Sequence, residues 1–390
     1  MWAAFAVFFL EAFAFASWLP RLPEIKRAFA LSEGDLGLVL LALPLGNLVA
    51  IPLAGWASTR LSIRRLNALG MAWMTGTITL VGLAPSVGVL VPVLLAVGLG
   101  TGTMGVAMNA AGFDAERRIG RPVLSRCHAM FSLGLAGGGL AAGLFLEASV
   151  PIVWHLLSVN LALLLVFALA LRSVSSATPV PNVGADEGEG AGAGPRFALP
   201  TGPLLAPALI AFGALLAEGA ALDWSSVFLR TVLDAEGASV AAGVTVFAGA
   251  MALARFGGDA IAERFGTRAL AAGGAVVAAA DYAVLAGSPN TGTAFAGLVL
   301  AGLGLAPVVP LVFRAGAVLS PAAPGLGVAA VSSLGYAGFL LGPALMGLVA
   351  EATSLRWSFA IVAALMAAVP ALARGLADPQ RPSSAPARPS

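Results

Sequence analysis

Three carboxylates, Glu11, Glu218 and Asp223, sit inside long apolar stretches of this 390-residue chain. A charge at the centre of a bilayer costs about 2.5–3.5 kcal/mol on insertion scales, so such residues usually mark a pathway. Taking up a proton removes that charge, which suits a buried carboxyl to bind a proton on one side and release it on another. The plain alternative is a neutral, hydrogen-bonded carboxyl that ties two helices together. The pathway reading is put first for Glu218, and both readings are kept for Glu11. Asp281 is expected to be structural or to lie near an interface. Asp223 follows Glu218 by five residues, about 140° around a helix of 3.6 residues per turn, so the two acids do not share a face. Trp224 stands beside Asp223, and Trp18 follows Glu11 by seven residues. Either tryptophan could flank a solute, but an interfacial aromatic belt explains Trp18 slightly better. Asn109 offers a polar amide that could meet a ligand or another helix.

Other chemistries lack their residues. Cys127 is the single cysteine, and His128 and His155 are the only histidines. No disulfide framework or thiolate zinc site can be built from these, and no metal or organic cofactor is expected. No Gly-rich stretch is followed by Lys-Ser or Lys-Thr, which argues against a nucleotide loop and an ATP-driven pump. An enzyme is not expected.

The elements that must position these acids follow from composition. The chain is 59% hydrophobic and 10% charged, with a mean hydropathy of +0.94. A water-soluble domain carries about 25% charged residues, so most of this surface must face lipid. The net charge of +2 gives no basic surface for nucleic acid. Apolar runs fall near 2–20, 36–57, 66–84, 87–112, 128–149, 152–171, 203–229, 238–260, 267–287, 291–316, 325–349 and 355–374. Each is close to the roughly 20 residues a membrane helix needs. Backbone groups in lipid must bond within their own segment, so these are helices. The runs are too long and too evenly apolar for the alternating strands of a membrane barrel. The first run lacks a basic leader and a cleavage site and is read as a retained helix. Residues 173–202 form a polar, Gly/Pro-rich linker. The tail after Asp378 is rich in Pro, Ser and Ala. The expected layout is an all-α membrane protein of twelve helices: a bundle over 1–172, a linker over 173–202, a bundle over 203–375 and a disordered tail over 376–390.

With the N-terminus in the cytoplasm, fifteen arginines fall on the cytoplasmic side, and Arg21, Lys26, Arg27, Arg230 and Arg356 fall outside. The positive-inside rule favours that orientation, with both termini and the linker cytoplasmic. The two bundles also align at a constant shift of 204 residues. Gly98-Leu99-Gly100 matches Gly302-Leu303-Gly304, Arg60 and Arg64 match Arg264 and Arg268, and Gly134, Gly138, Gly143 and Glu147 match Gly338, Gly342, Gly347 and Glu351. Parallel six-helix repeats with a binding site between them are a transporter architecture.

Two short loops at the ends of the second and eighth runs carry matched arginines. The first is G-W-A-S-T-R-L-S-I-R-R over Gly55–Arg65, and the second is R-F-G-G-D-A-I-A-E-R-F-G-T-R over Arg255–Arg268. Positive-inside decoration explains the charges but not their matched spacing, nor Asp259 and Glu263 among them. Arg255 and Asp259 are four apart and can pair on one helix face. These loops resemble the signature loop G-x-x-x-D-R-x-G-R-R of the major facilitator superfamily. M-N-A-A-G at Met108–Gly112, H-A-M-F-S-L-G at His128–Gly134, E-G-A-A-L-D-W-S at Glu218–Ser225 and G-Y-A-G-F-L-L-G-P at Gly335–Pro343 are similar to its bacterial inner-membrane permeases near the fucose-permease-like group. Thr59 stands where the first loop usually has an aspartate. The fourth run lacks the arginine, and the fifth the Gly-Pro, of proton-driven drug exporters.

The resemblance implies a secondary active transporter that moves a small molecule across the bacterial inner membrane by alternating access, as a monomer, with a proton as coupling ion. Glu11, Asn109, Glu218, Asp223 and Trp224 would line the substrate and proton pathway. Arg60, Arg64, Arg255, Asp259, Glu263, Arg264 and Arg268 would hold the cytoplasmic side closed. The few central charges, with no central arginine, slightly disfavour a strongly anionic substrate. A drug exporter and a non-transporting membrane sensor are the alternatives, although a sensor would be expected to carry a further soluble domain. If the arginine asymmetry sets the orientation, a cysteine placed at Ala185 in the linker stays unlabelled by a membrane-impermeant maleimide in whole cells. Labelling from outside would overturn this topology.

Overall fold

The computed structural model describes residues 1–121, 123–174, 176 and 198–376, without the side chains of 258–265, 267 and 375. Most of the expected linker and nearly all of the expected tail therefore lie outside the described residues. Among those described there is no strand. The helices are α1 (Trp2–Trp18), α2 (Leu22–Ala28), α3 (Glu33–Leu40), α4 (Ala42–Ser58), α5 (Ile63–Val81), α6 (Val87–Ile119), α7 (Leu124–Glu147) and α8 (Ile152–Leu171). They continue with α9 (Leu205–Val232), α10 (Ala238–Phe265), α11 (Thr267–Gly287), α12 (Thr291–Leu305), α13 (Val308–Leu319), α14 (Pro324–Ala352) and α15 (Leu355–Leu372).

Three of the expected spans are each two helices. The first runs past residue 20 through a 3₁₀ turn, Leu19–Arg21, into α2. Pro20 and Pro23 bring no N–H to that stretch. The second breaks at Leu41, where Pro44 cannot donate to the carbonyl of Leu40. The tenth breaks at Ala306-Pro307 between α12 and α13. The fourth runs on to Ile119, where Gly120 takes a left-handed φ of 70° and ends it.

Eleven spans among the described residues are long and apolar enough to cross a membrane by length and composition. The expected third span, α5, falls short chiefly because Arg64 and Arg65 at its start, with Asn67, lower its hydropathy; Thr75, Thr77 and Thr79 add little. The polar groups within the span bond back to backbone: the three threonine hydroxyls donate to the carbonyls of Met71, Trp73 and Thr75 at 2.7–2.9 Å, and Asn67 donates to Ile63 and Ala107, although its buried Oδ1 has no partner. The outer face of α5 is apolar, with Leu69 and Trp73 more than half exposed. That surface suits lipid, as do exposed Leu144, Leu165 and Leu253 elsewhere, so α5 makes the twelfth span.

The duplication is visible in contacts. Gly98 of α6 lies against the Leu43 carbonyl and the Asn47 amide of α4, and Gly302 of α12 lies against the Phe247 carbonyl and the Met251 amide of α10. Gly100 meets the backbone of Met74 in α5, and Gly304 meets that of Ala278 in α11. Each pair repeats at the 204-residue shift. Gly134 of α7 and Gly338 of α14 approach the carbonyls of Phe9 in α1 and Phe212 in α9, one residue off that register. The halves are thus parallel repeats, each closed by backbone-to-backbone packing at glycine.

A side chain at Gly98 or Gly302 has to displace backbone. Gly98→Leu and Gly302→Leu are each expected to destabilise the protein by about 1–3 kcal/mol, the range for overpacking. Gly76→Leu, whose Cβ would meet nothing within 4 Å, should leave stability unchanged. Thermal melts of the detergent-solubilised protein separate the two outcomes.

Candidate functional site

The acids do not converge on one point. Glu218 lies midway along α9 and faces α10, where its Oε1 is 3.9 Å from Nη2 of Arg255, with the two side chains 14% and 16% exposed. Nη1 of Arg255 donates to Oγ of Ser132 on α7, at 2.7 Å. Ser132 belongs to the first half and Arg255 to the second, so a guanidinium spans the boundary between the repeats within the membrane. Ser132 is fully buried and follows His128 by one turn, and the His128 ring sits edge-on against Phe8 of α1 at 5.2 Å. Arg255 is therefore central, contrary to the reading that the centre lacks an arginine. The reason is geometric: α10 runs on for ten residues beyond Arg255, which leaves it inside the bundle instead of in the loop.

Asp223 points elsewhere, as the angle along the helix requires. It lines a small pocket with Phe15, Trp18, Leu40, Leu43, Pro44, Phe339 and Pro343, drawn from both halves. It makes no hydrogen bond to Glu218 among the described residues. Trp18 and Trp224 are 1% and 0% exposed, and both indole N–H groups lack a partner. The belt reading of Trp18 is thereby corrected: packing between the halves, not the lipid interface, surrounds it. Other tryptophans are the exposed ones. Trp154 and Trp357 are 62% and 63% exposed at the starts of α8 and α15.

Glu11 is 4% exposed on α1, with Oε2 unpartnered. Asn109 donates to the Gly105 carbonyl of its own helix at 2.9 Å, and its buried Oδ1 has no partner. Asp281 is 2% exposed inside α11, beside Tyr282, whose hydroxyl donates to the Ala217 carbonyl at 2.6 Å. Arg60 lies over the Trp56 ring at 4.0 Å. Arg64 donates to the carbonyls of Val174 and Arg172 beyond the end of α8. Arg268 is exposed near the start of α11. The side chains of Asp259, Glu263 and Arg264 lie outside the described residues.

Two groups of residues escaped the sequence reading. Arg21, 1% exposed, donates to both carboxylate oxygens of Glu24, to Nδ1 of His155 and to the Val150 carbonyl. It ties the end of the first span to α8. Ser132 gave no signal because a lone serine in an apolar run resembles any other helix-packing residue.

The family model described as Major Facilitator Superfamily matches residues 4–323 and 225–390. An uncharacterized MFS-type transporter of Yersinia pestis is 32% identical over 372 residues, covering 95% of this chain and 94% of its own. The uncharacterized transporter y4wD of Sinorhizobium fredii is 32% identical over 371 residues, covering 94% and 96%. Among solved structures, the nucleoside transporter NupG superposes with a TM-score of 0.71 at 16% identity, covering 96% of this chain and 98% of that one.

Removing one member of the ion pair leaves a mostly buried charge without its counter-ion. Arg255→Ala is expected to destabilise the protein by about 1–3 kcal/mol. Glu218→Gln added to it should recover part of that loss, because the stranded carboxylate is gone. A double-mutant cycle in thermal melts reads the coupling, and strictly additive changes would show that the two do not interact.

Proposed function

The chain belongs to the Major Facilitator Superfamily, and we propose that this membrane transporter carries a small polar solute by alternating access, coupled to protons at Glu218. The two six-helix bundles, 1–172 and 203–375, move as units with both termini on the cytoplasmic side of the inner membrane. The observation that supports this reading is the chain Glu218–Arg255–Ser132, which joins a titratable acid to a contact between the halves. Ionisable residues inside a membrane bundle mark ion or substrate pathways. An ionised Glu218 holds Arg255 by Coulombic attraction. A protonated Glu218 releases that hold and frees the guanidinium for a solute or for a different packing of the halves. Proton occupancy thereby biases which arrangement of the bundles is favoured, which is what coupling requires. Glu11, Asn109, Asp223 and Trp224 line the remainder of the path, with Glu11 as the alternative proton carrier. The paired loops around Arg60, Arg64, Asp259, Glu263, Arg264 and Arg268 close the cytoplasmic side in the outward-open state.

Glu218→Gln imitates the protonated form. A thermal-shift screen of sugars, nucleosides, amino acids and organic cations on the purified protein supplies the solute. In proteoliposomes Glu218→Gln should still bind that solute and exchange it in counterflow, while net transport loses its dependence on pH. A pH profile matching the wild type would remove Glu218 from the mechanism.

A further inference from the structure

The first half ends α7 at Glu147, and the second half places Glu351 one residue from the end of α14. Both lie on the face opposite the N-terminus, the outer face in the expected orientation. Oε2 of Glu147 accepts from the backbone N–H of Ala238, the first residue of α10. Oε2 of Glu351 accepts from Oγ of Ser32, the residue that caps α3, at 2.9 Å. The first contact runs from the first half to the second, and the other runs back.

The two glutamates occupy equivalent places but take different donors, a backbone N–H in one half and a capping hydroxyl in the other. Adding 204 to Glu147 gives Glu351, and adding 204 to Gly34 gives Ala238. Gly34 lies directly against the Glu351 carboxylate, as Gly237, with φ of +52°, does against Glu147. Beneath them the same register continues: Gly143 faces Ala241, and Gly347 faces Gly37, so α7 packs on α10 and α14 on α3 at glycine. The first N–H groups of a helix have no partner within it and form its positive end, so a carboxylate there gains both hydrogen bonds and charge–dipole attraction. Both glutamates are exposed, which keeps each contact weak. A seal that has to open repeatedly calls for weak, paired contacts of this kind. Asp35, Lys26 and Glu33 flank one site, and Arg230 and Glu236 flank the other, paired among themselves.

We propose that Glu147 and Glu351 are two equivalent latches that shut this face, and that losing them shifts the protein toward the state open on that side. The proposal rests on the halves rocking against each other. The test reads distance, not transport. Spin labels go at Ser86→Cys and Pro289→Cys, exposed in the loops of the two halves on that face, in a Cys127→Ala background. Double electron–electron resonance in nanodiscs then reports the population with that face open. Glu147→Ala and Glu351→Ala should each raise the open-to-closed ratio about fivefold, and together about twenty-fivefold. Ser32→Ala, which removes the hydroxyl donor together with the α3 cap, should raise it in the same direction, and Glu351→Gln, which leaves that cap intact, serves if the double variant does not fold. Glu236→Gln should leave it unchanged. Gly143→Trp, a wedge between α7 and α10, is the control for motion. If the wedge opens the face and the alanine variants do not, the latches are wrong. If neither opens it, the halves do not rock, and the proposal falls together with alternating access.

Discussion

Helix packing in lipid is governed by how closely two backbones can approach. Leucine gains almost nothing by leaving lipid for the interior of a membrane protein, so the hydrophobic effect does not hold the spans together. What remains is dispersion over well-fitted surfaces and the bonds that cross between helices. Gly98 against the Leu43 carbonyl and Gly302 against the Phe247 carbonyl are such fits. They set the spacing of α4 with α6 and of α10 with α12. The second of these holds α10, which carries Arg255. The polar centre depends on contacts with no polarity of their own beyond a peptide carbonyl.

Composition and spacing carried most of the architecture. Long apolar runs have one solution in a bilayer, and the glycines recur at a fixed interval because they meet equivalent backbones in each half. The internal breaks at Leu41 and Ala306 were harder to read, since a proline in a membrane helix can kink it, break it or leave it intact according to its neighbours. The third span was read as a helix from its length. Two arginines at its start depress its hydropathy, while its threonines are accommodated within the membrane span because each hydroxyl bonds one turn back along its own helix.

The site was legible residue by residue but not as an arrangement. Rarity flagged Glu11, Glu218 and Asp223. The angle between Glu218 and Asp223 followed from helix geometry, and the structure sends them to different neighbours. Arg255 fell inside the eighth apolar run yet was grouped with the gating loop, because from sequence an arginine just before a glycine-rich stretch looks like part of that loop. Its partner Ser132 lies 123 positions away in the other half. A pairing of that range is written in the packing of α7 on α10, which no local pattern encodes. Trp18 failed for a similar reason: near a span end, an indole that meets lipid and one that meets the other half look alike.

The crossing of Glu147 and Glu351 has a further consequence for how such a chain is put together. Each half supplies one glutamate and receives one, and the two glutamates stand at corresponding positions although their donors lie two residues out of register. In a two-fold homodimer, patch i of one subunit meets patch j of the other, and j meets i. The interface within this single polypeptide obeys the same rule. A change to one side of that interface would, in a true dimer, strike both contacts at once. Here duplication has uncoupled them, so each contact is free to diverge in strength while the symmetry that brought them together persists in the backbone.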